Sequence, residues 1–157
     1  MISHPAVERV VAHARERGFE LEVRRFPEGT HTAADAARAI GCDVAQIVKS
    51  LVFLAAGDPV VVLCSGSDRV DESKLAGVLG AHAARRATAN EAREATGFVV
   101  GGVPPFGHRV PIPVVVDDAL LRHEVVWAAA GLPDAVFPIA PADLVRLAAA
   151  TEADVRI

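Results

Sequence analysis

The sequence predicts an α+β fold in which short helices flank a mixed, mostly antiparallel sheet. Two observations carry this prediction. Apolar runs of strand length stand on both sides of Gly57-Asp58-Pro59, which is typical of an antiparallel hairpin. In addition, Thr32 and Thr88 each stand three residues before an acidic residue, a spacing that favours a capped helix start. With 157 residues, 52% of them hydrophobic, the chain is expected to form one domain over residues 1–157.

Each predicted element has a local reason. The helices begin at capping residues or carry an apolar stripe, and most of them end at glycine. The strands are apolar runs, or alternate polar and apolar residues, between turn signals. The expected helices cover residues 5–17, 33–40, 71–79, 88–96 and 143–150, and the expected strands cover 19–23, 46–55, 60–65, 112–116, 124–129 and 135–139, with a last short strand after the final helix. Residues 97–107 are too rich in Gly and Pro for a regular element, so they predict a shaped loop.

Composition excludes several classes of protein. No apolar run approaches the roughly 18 residues needed to cross a bilayer, and the first residues lack the pattern of a signal peptide, so we expect a cytoplasmic protein without membrane contact. The net charge of −4 argues against an extended nucleic-acid interface. Cys42 and Cys64 form no CxxC motif, and His123-Glu124 lacks the second histidine of a helical zinc motif. We therefore expect no disulfide scaffold, no metal and no other cofactor.

Lys49 is the sharpest chemical feature. The chain has 16 basic residues but only two lysines, Lys49 and Lys74. On the predicted strand both faces around Lys49 are largely apolar, so its ammonium lies within an interior strand. An unpaired buried charge costs several kcal/mol, so the head group needs a partner, a cleft or a shifted pKa. Either Lys49 serves a site, or it simply reaches the sheet edge or pairs with a carboxylate.

The predicted loop is the second feature. Its two adjacent glycines, Gly101 and Gly102, allow backbone amides to approach a ligand closely. Four stiff or apolar residues follow: Val103, Pro104, Pro105 and Phe106. Such a loop could form an oxyanion hole or the wall of a small pocket, although a purely structural crossover has the same composition.

The remaining candidates are weaker. His31 precedes a helix start, where it could face a pocket, and His108 follows the loop; both are also compatible with surface positions. The pairs Arg24-Arg25 and Arg85-Arg86 are most simply solvated faces, with phosphate contact as the alternative. The sequence contains no Walker loop, no GxGxxG and no GxSxG motif. Common nucleotide-binding and serine-hydrolase functions are therefore excluded.

The order of these features resembles a known family. The chain carries, in order, His31-Thr32-Ala33-Ala34, Gln46-Ile47-Val48-Lys49-Ser50-Leu51-Val52-Phe53, Asp68-Arg69-Val70-Asp71, the stretch 96–107, Pro113-Val114-Val115-Val116-Asp117 and Pro141-Ala142-Asp143-Leu144. Together they resemble the YbaK and prolyl-tRNA-synthetase-associated editing domains. The most specific combination is the strand lysine followed some 50 residues later by Gly-x-x-x-Pro.

The resemblance implies a free-standing aminoacyl-tRNA deacylase that hydrolyses mischarged tRNA in trans without a metal. It implies that Lys49 is the key active-site residue and that the loop from Gly101 to Pro105 holds the aminoacyl end. We place His31, Ser50 and Phe106 with that loop in the substrate-binding set. The implied partners are the tRNA acceptor end and a prolyl-tRNA synthetase, with the protein acting as a monomer or homodimer. The expected substrate carries a small amino acid, and tRNA for proline is one candidate.

One departure from the family matters for the substrate. Some members carry a His-Pro pair on a late strand, where this chain has Ala128-Ala129-Ala130-Gly131. The amino acid removed therefore does not follow from the resemblance. Two other functions also remain open from the residues alone. One is a binding module for RNA or a nucleotide that uses the same cleft without turnover, and the other is a Schiff-base enzyme that uses Lys49 as its nucleophile.

Overall fold

A computed structural model describes residues 4–27 and 32–157, which form helices around two sheets. The helices are α1 (Pro5–Arg15), α2 (Ala33–Ile40), α3 (Glu72–Leu79), α4 (Ala89–Thr96) and α5 (Pro141–Ala148). The strands are β1 (Arg24–Arg25), β2 (Val48–Ala55), β3 (Asp58–Ser65), β4 (Ala84–Arg86), β5 (Val114–Asp117), β6 (Val126–Ala129), β7 (Ala135–Ile139) and β8 (Thr151–Ala153). Two short 3-10 helices cover Val44–Gln46 and Asp118–Arg122.

The larger sheet has five strands in the order β4-β2-β3-β5-β8. Strand β2 runs antiparallel to both β3 and β4, whereas β5 runs parallel to β3 and β8. The smaller sheet, β1-β7-β6, is antiparallel throughout. An isolated bridge between Ile47 and Trp127 joins the two sheets beside the start of β2. The predicted mixed α+β fold with mostly antiparallel pairing is confirmed.

Local chemistry explains the elements that were predicted well. The β2–β3 hairpin closes through Ala56 and Gly57, with φ of 51° and 87°, the left-handed backbone that a two-residue turn of this twist needs. Thr32 Oγ1 accepts a hydrogen bond from the Asp35 amide at 3.0 Å and so caps α2. At α4 the Thr88 and Glu91 side chains each accept a hydrogen bond from the other's backbone amide, which completes a capping box.

The two faces of the large sheet bury different sets of residues. One face packs against α1, α4, α5 and the small sheet, and its largest buried side chains include Phe98, Phe106 and Phe137. The other face packs against α3 through Phe53, Val62 and Leu75. Because both faces are covered, β2 is buried on both sides, as its apolar pattern predicts.

The predicted strand over 19–23 is wrong. These residues alternate between half-buried and exposed positions, as a strand would, and Phe19, Leu21 and Val23 pack against the core. However, strand pairing begins only at Arg24, which lies opposite Val136 of β7. The alternation of side chains was therefore predicted correctly. However, no strand among residues 4–27 and 32–157 pairs with this segment, and a strand needs a partner as well as a pattern.

Strand β4 was missed because its sequence, Ala84-Arg85-Arg86, offers a single buried side chain. Element ends also shifted by a few residues. Strand β2 begins at Val48 because the residues before it form the 3-10 helix. Helix α5 begins at Pro141, since proline suits the first helical position, where its missing N–H is not needed.

Candidate active site

A cleft of about 310 Å³ opens where the two sheets diverge beside β2. Its walls come from several elements: the start of α2, residues 47–52, the end of β4 with the next residue, three residues of the loop, and the end of β6. The residues at β4 are Arg86 and Ala87, and those of the loop are Val100, Gly101 and Val103. Most of the lining is apolar. Of the described residues, two cations, Lys49 and Arg86, belong to the lining, and no carboxylate does. The cleft therefore suits a ligand that combines a small apolar group with an anionic one.

Lys49 lies on β2 opposite Cys64 of β3. Its side chain is half-buried, and Nζ donates a hydrogen bond to the backbone carbonyl of Asp68, in the turn after β3. The ammonium thus has one neutral partner, and within residues 4–27 and 32–157 no carboxylate forms an ion pair with it, so part of its hydrogen-bonding capacity stays available. Cys64 beside it is fully buried, and burial raises the pKa of its thiol to about 11, which keeps it protonated.

Ser50 follows Lys49 and also lines the cleft. Neighbouring residues on a strand point to opposite faces, and both reach the cleft because it opens along the edge of β2. The Ser50 Oγ is buried, and of the described residues it alone has a buried side-chain polar atom without a hydrogen-bond partner. Buried polar atoms are nearly always paired, so this hydroxyl marks a place where a ligand group is expected.

The glycine-rich loop is held close to the end of β6. Gly101 has φ of 91°, a conformation that favours glycine, and lines the cleft. At Gly102 a Cβ atom would lie 2.8 Å from the Leu132 Cα, so only glycine fits there without a shift of the backbone. The Gly102 amide donates to the Val99 carbonyl at 3.0 Å. Of the predicted loop residues, therefore, Gly101 and Val103 face the cleft, while Gly102 packs behind it.

The remaining loop residues support the loop from inside the core. Pro104, Pro105 and Phe106 are buried and are not among the residues that line the cleft. The Phe106 ring stacks on the His13 ring with centroids 5.0 Å apart. His108 Nε2 lies 2.8 Å from the Pro104 carbonyl oxygen, and since a carbonyl only accepts, the imidazole donates. The predicted apolar wall is thus mostly buried behind the cleft. We call these residues, Pro104, Pro105 and Phe106 with the His13 and His108 rings that contact them, the brace of the loop.

A model of the aminoacyl-tRNA editing domain matches residues 27–147, a span that contains most of this cleft, with Lys49, Ser50 and the loop. The chain belongs to this family. The resemblance seen in the sequence is therefore confirmed.

Relatives of the editing domain occur both alone and within larger proteins. The uncharacterized protein YwhH of Bacillus subtilis is 32% identical over 136 residues, which cover 86% of each chain. A proline–tRNA ligase of Limosilactobacillus fermentum is 32% identical over 112 residues, which are 68% of this chain but only 20% of the ligase. The crystal structure of a candidate trans-editing enzyme for prolyl-tRNA synthetase superimposes with a TM-score of 0.93, at 43% identity and with 99% of both chains covered.

Several residues of the editing-domain cleft were not found from the sequence. Thr32, Arg86 and Trp127 line it, and the Arg24 guanidinium lies 4.9 Å from the centroid of the Trp127 ring. Arg86 was read as part of a solvated face because β4, which carries it past β2, was not predicted. The single tryptophan could have been singled out as a rare half-buried aromatic residue. His31, predicted as a substrate-binding residue, lies outside the described residues.

Neither metal ligation nor membrane insertion finds support in the editing domain as described. In residues 4–27 and 32–157, no three His, Cys, Asp or Glu side chains cluster closely enough to hold a metal ion. No helix within the same ranges is both long and apolar enough to cross a bilayer.

The brace behind the loop should make the stability of the editing domain depend on pH. Burial lowers the pKa of His108 below the usual value of 6.5, an effect that the neighbouring His13 reinforces and the Pro104 carbonyl opposes. Since protonation of this imidazole then favours the unfolded chain, its contribution to stability is complete above about pH 6.5 and is lost as the pH falls below it. Urea unfolding at pH 7.5 and 5.5 measures this loss. In His108→Gln, which can still donate to Pro104, we expect a smaller loss; an equal loss in both proteins would contradict the assignment.

Proposed function

We propose that this protein is an aminoacyl-tRNA deacylase that hydrolyses the ester of mischarged tRNA in trans. The observation that carries the proposal is the meeting of Lys49, Ser50, Gly101 and Val103 in the lining of one small, mostly apolar cleft. Membership of the editing-domain family and the 43% identity to a candidate trans-editing enzyme support the same activity.

The cleft offers what hydrolysis of such an ester requires. The terminal adenosine enters with its phosphate toward the two cations, and the aminoacyl group enters between β2 and the loop. Lys49 either anchors the phosphate or polarises the ester. Water attacks the ester carbonyl and gives up a proton, the tetrahedral intermediate breaks its bond to the ribose oxygen, and that oxygen takes up the proton as it leaves. Because the Gly102 amide already donates to Val99, we assign the amides of Gly101 and Val103 as loop donors to the developing oxyanion.

The size of the cleft favours a small amino acid. A volume of about 310 Å³ must hold the aminoacyl group and part of the adenosine. The lining near β6 includes Ala128 and Ala129, whose methyl groups belong to the apolar surface that an amino-acid side chain would contact. Synthetases separate amino acids that differ by one methylene by only about 1–3 kcal/mol, so errors with small amino acids need a second hydrolytic site.

Prolyl-tRNA synthetase is the partner that we propose. Relatives of this domain lie inside proline–tRNA ligases, and the similar solved structure is described as a candidate trans-editing enzyme for that synthetase. The net charge of −4 is compatible with this partner if the protein contacts only the single-stranded acceptor end, where few phosphates need neutralising.

Deacylation of mischarged tRNA tests the proposal directly. We expect the protein to accelerate hydrolysis of tRNA for proline charged with alanine or another small amino acid, and to leave correctly charged prolyl-tRNA intact. Single-turnover assays with excess protein over a panel of mischarged tRNAs measure this. If the protein binds these tRNAs but hydrolyses none of them at any protein concentration, it is a binding module and the deacylase proposal is wrong.

A further inference from the structure

In the part of the chain that the structure describes, no strand pairs with the outer edge of β2 at Ser50. On that side β4 pairs only with residues from Phe53 onward, and one further bond joins the Ala87 amide to the Val52 carbonyl. At the other end of the strand, the bridge between Ile47 and Trp127 is isolated and does not continue along β6. The cleft therefore contains a short open stretch of the otherwise paired outer edge of β2.

The register of the hairpin shows which backbone groups face this opening. A two-residue turn joins Ala55 and Asp58, so these residues form the hydrogen-bonded pair that closes the hairpin. Backbone groups alternate in direction along a strand, so the odd-numbered residues of β2 bond to β3 and the even-numbered ones point to the outer edge. The bond accepted by the Val52 carbonyl from Ala87 agrees with this alternation. The N–H and C=O groups of Ser50 consequently point into the opening.

The Ser50 side chain makes the same position still more polar. Its Oγ is buried and has no partner among the described residues. An open edge of this kind is where proteins accept an additional strand through main-chain hydrogen bonds. The cleft is too small for a strand, but an aminoacyl group is chemically one residue: an amine, a Cα with its side chain, and a carbonyl.

We propose that the aminoacyl group of the substrate pairs with Ser50 as a one-residue extension of the sheet. Its α-amine donates to the Ser50 carbonyl, and its ester carbonyl accepts from the Ser50 N–H. This proposal rests on the deacylase function and adds how the substrate is recognised. The ester carbonyl is then held between β2 on one side and the loop amides on the other. Since every amino acid offers the same main-chain groups, the cleft distinguishes between amino acids through the contacts of their side chains with the wall around Ala128 and Ala129.

The test compares two esters of tRNA for proline, alanyl and propionyl, which differ only in the α-amine. Each single-turnover rate is divided by the spontaneous rate of the same ester, because the amine also activates the ester chemically. We expect the acceleration to be about 10- to 100-fold lower for propionyl-tRNA, since the Ser50 carbonyl is then buried without its partner. Accelerations that agree within threefold would overturn the pairing while leaving the deacylase function intact. If neither ester is accelerated, the protein is not a deacylase for this substrate, and the proposed pairing is then also wrong.

Ser50→Ala distinguishes recognition by the main chain of residue 50 from recognition by its hydroxyl group. The variant keeps the backbone groups of residue 50, and it should fold because it removes a buried hydroxyl that has no partner. We expect it to retain the preference for the alanyl over the propionyl ester, whatever its absolute rate. If the preference disappears while the melting temperature is unchanged, the hydroxyl recognises the amine and main-chain pairing is wrong.

Discussion

Replacing Lys49 with alanine is expected to slow single-turnover deacylation about 10²- to 10³-fold, equivalent to about 2.7–4 kcal/mol of transition-state stabilisation. The physical reason is position: Lys49 brings a charge to the wall of a small, mostly apolar cleft, where an electrostatic contact is stronger than in water. Folding should be little affected, because Nζ contributes one hydrogen bond, to the Asp68 carbonyl, of about 1 kcal/mol. Rapid-quench deacylation and thermal unfolding of the same preparation measure the two effects.

The chain offers a matched control in its other lysine. Lys74 is exposed on α3, where it pairs with Asp154 and donates to the Arg156 carbonyl. Lys74→Ala removes the same charge from the protein as a whole, so any effect of net charge on tRNA binding appears in both variants. We expect Lys74→Ala to keep the wild-type rate. Equal rates for the Lys49 and Lys74 variants would remove Lys49 from the mechanism.

Arginine at position 49 tests whether charge alone is sufficient. The guanidinium is larger and planar, and it cannot place a compact ammonium at the Asp68 carbonyl. We therefore expect Lys49→Arg to recover only part of the lost rate. Full recovery would mean that Lys49 acts only as a positive charge near the phosphate.

The sequence predicted those parts of the fold that local chemistry determines. The capped starts of α2 and α4 and the two-residue turn between β2 and β3 each depend on residues within a few positions of one another. The segment over 19–23 shows the limit. Its alternation is genuine, but whether a described strand pairs with it depends on the whole fold, and none does. Strand β4 is the opposite case. Its sequence has only a weak strand pattern, but it forms a strand because it pairs with the edge of β2.

The residues of the candidate site likewise divide into those that local sequence could predict and those that depend on the whole fold. Lys49 could be singled out because a charge within an apolar strand is a local anomaly, and Gly101 because adjacent glycines allow backbone amides to approach a ligand closely. The direction of each loop residue could not be found, since composition does not tell a cleft wall from a brace behind it. The opening beside Ser50 was also beyond the sequence, because it depends on where β4 and β6 stop pairing with β2.

The second large effect is expected at Phe106, where the sequence suggested a substrate contact and the structure gives a core residue. Its side chain is 2% exposed and packs against His13 and Phe137, with ring centroids 5.0 Å and 5.7 Å away. Truncating a buried phenylalanine removes its transfer free energy and leaves a cavity, so Phe106→Ala should lower the free energy of unfolding by about 3–5 kcal/mol. Urea denaturation at pH 7.5, above the titration of His108, measures the loss.

Val103→Ala is the informative comparison, because Val103 belongs to the same loop but lines the cleft. Its smaller truncation should cost less stability and enlarge the site, so that tRNAs carrying slightly larger amino acids are hydrolysed better. Phe106→Ala, assayed at a temperature where it remains folded, should keep the wild-type order of preference among amino acids. A Phe106→Ala protein of normal stability with altered preference would place the ring at the substrate and show that the loop is braced in some other way.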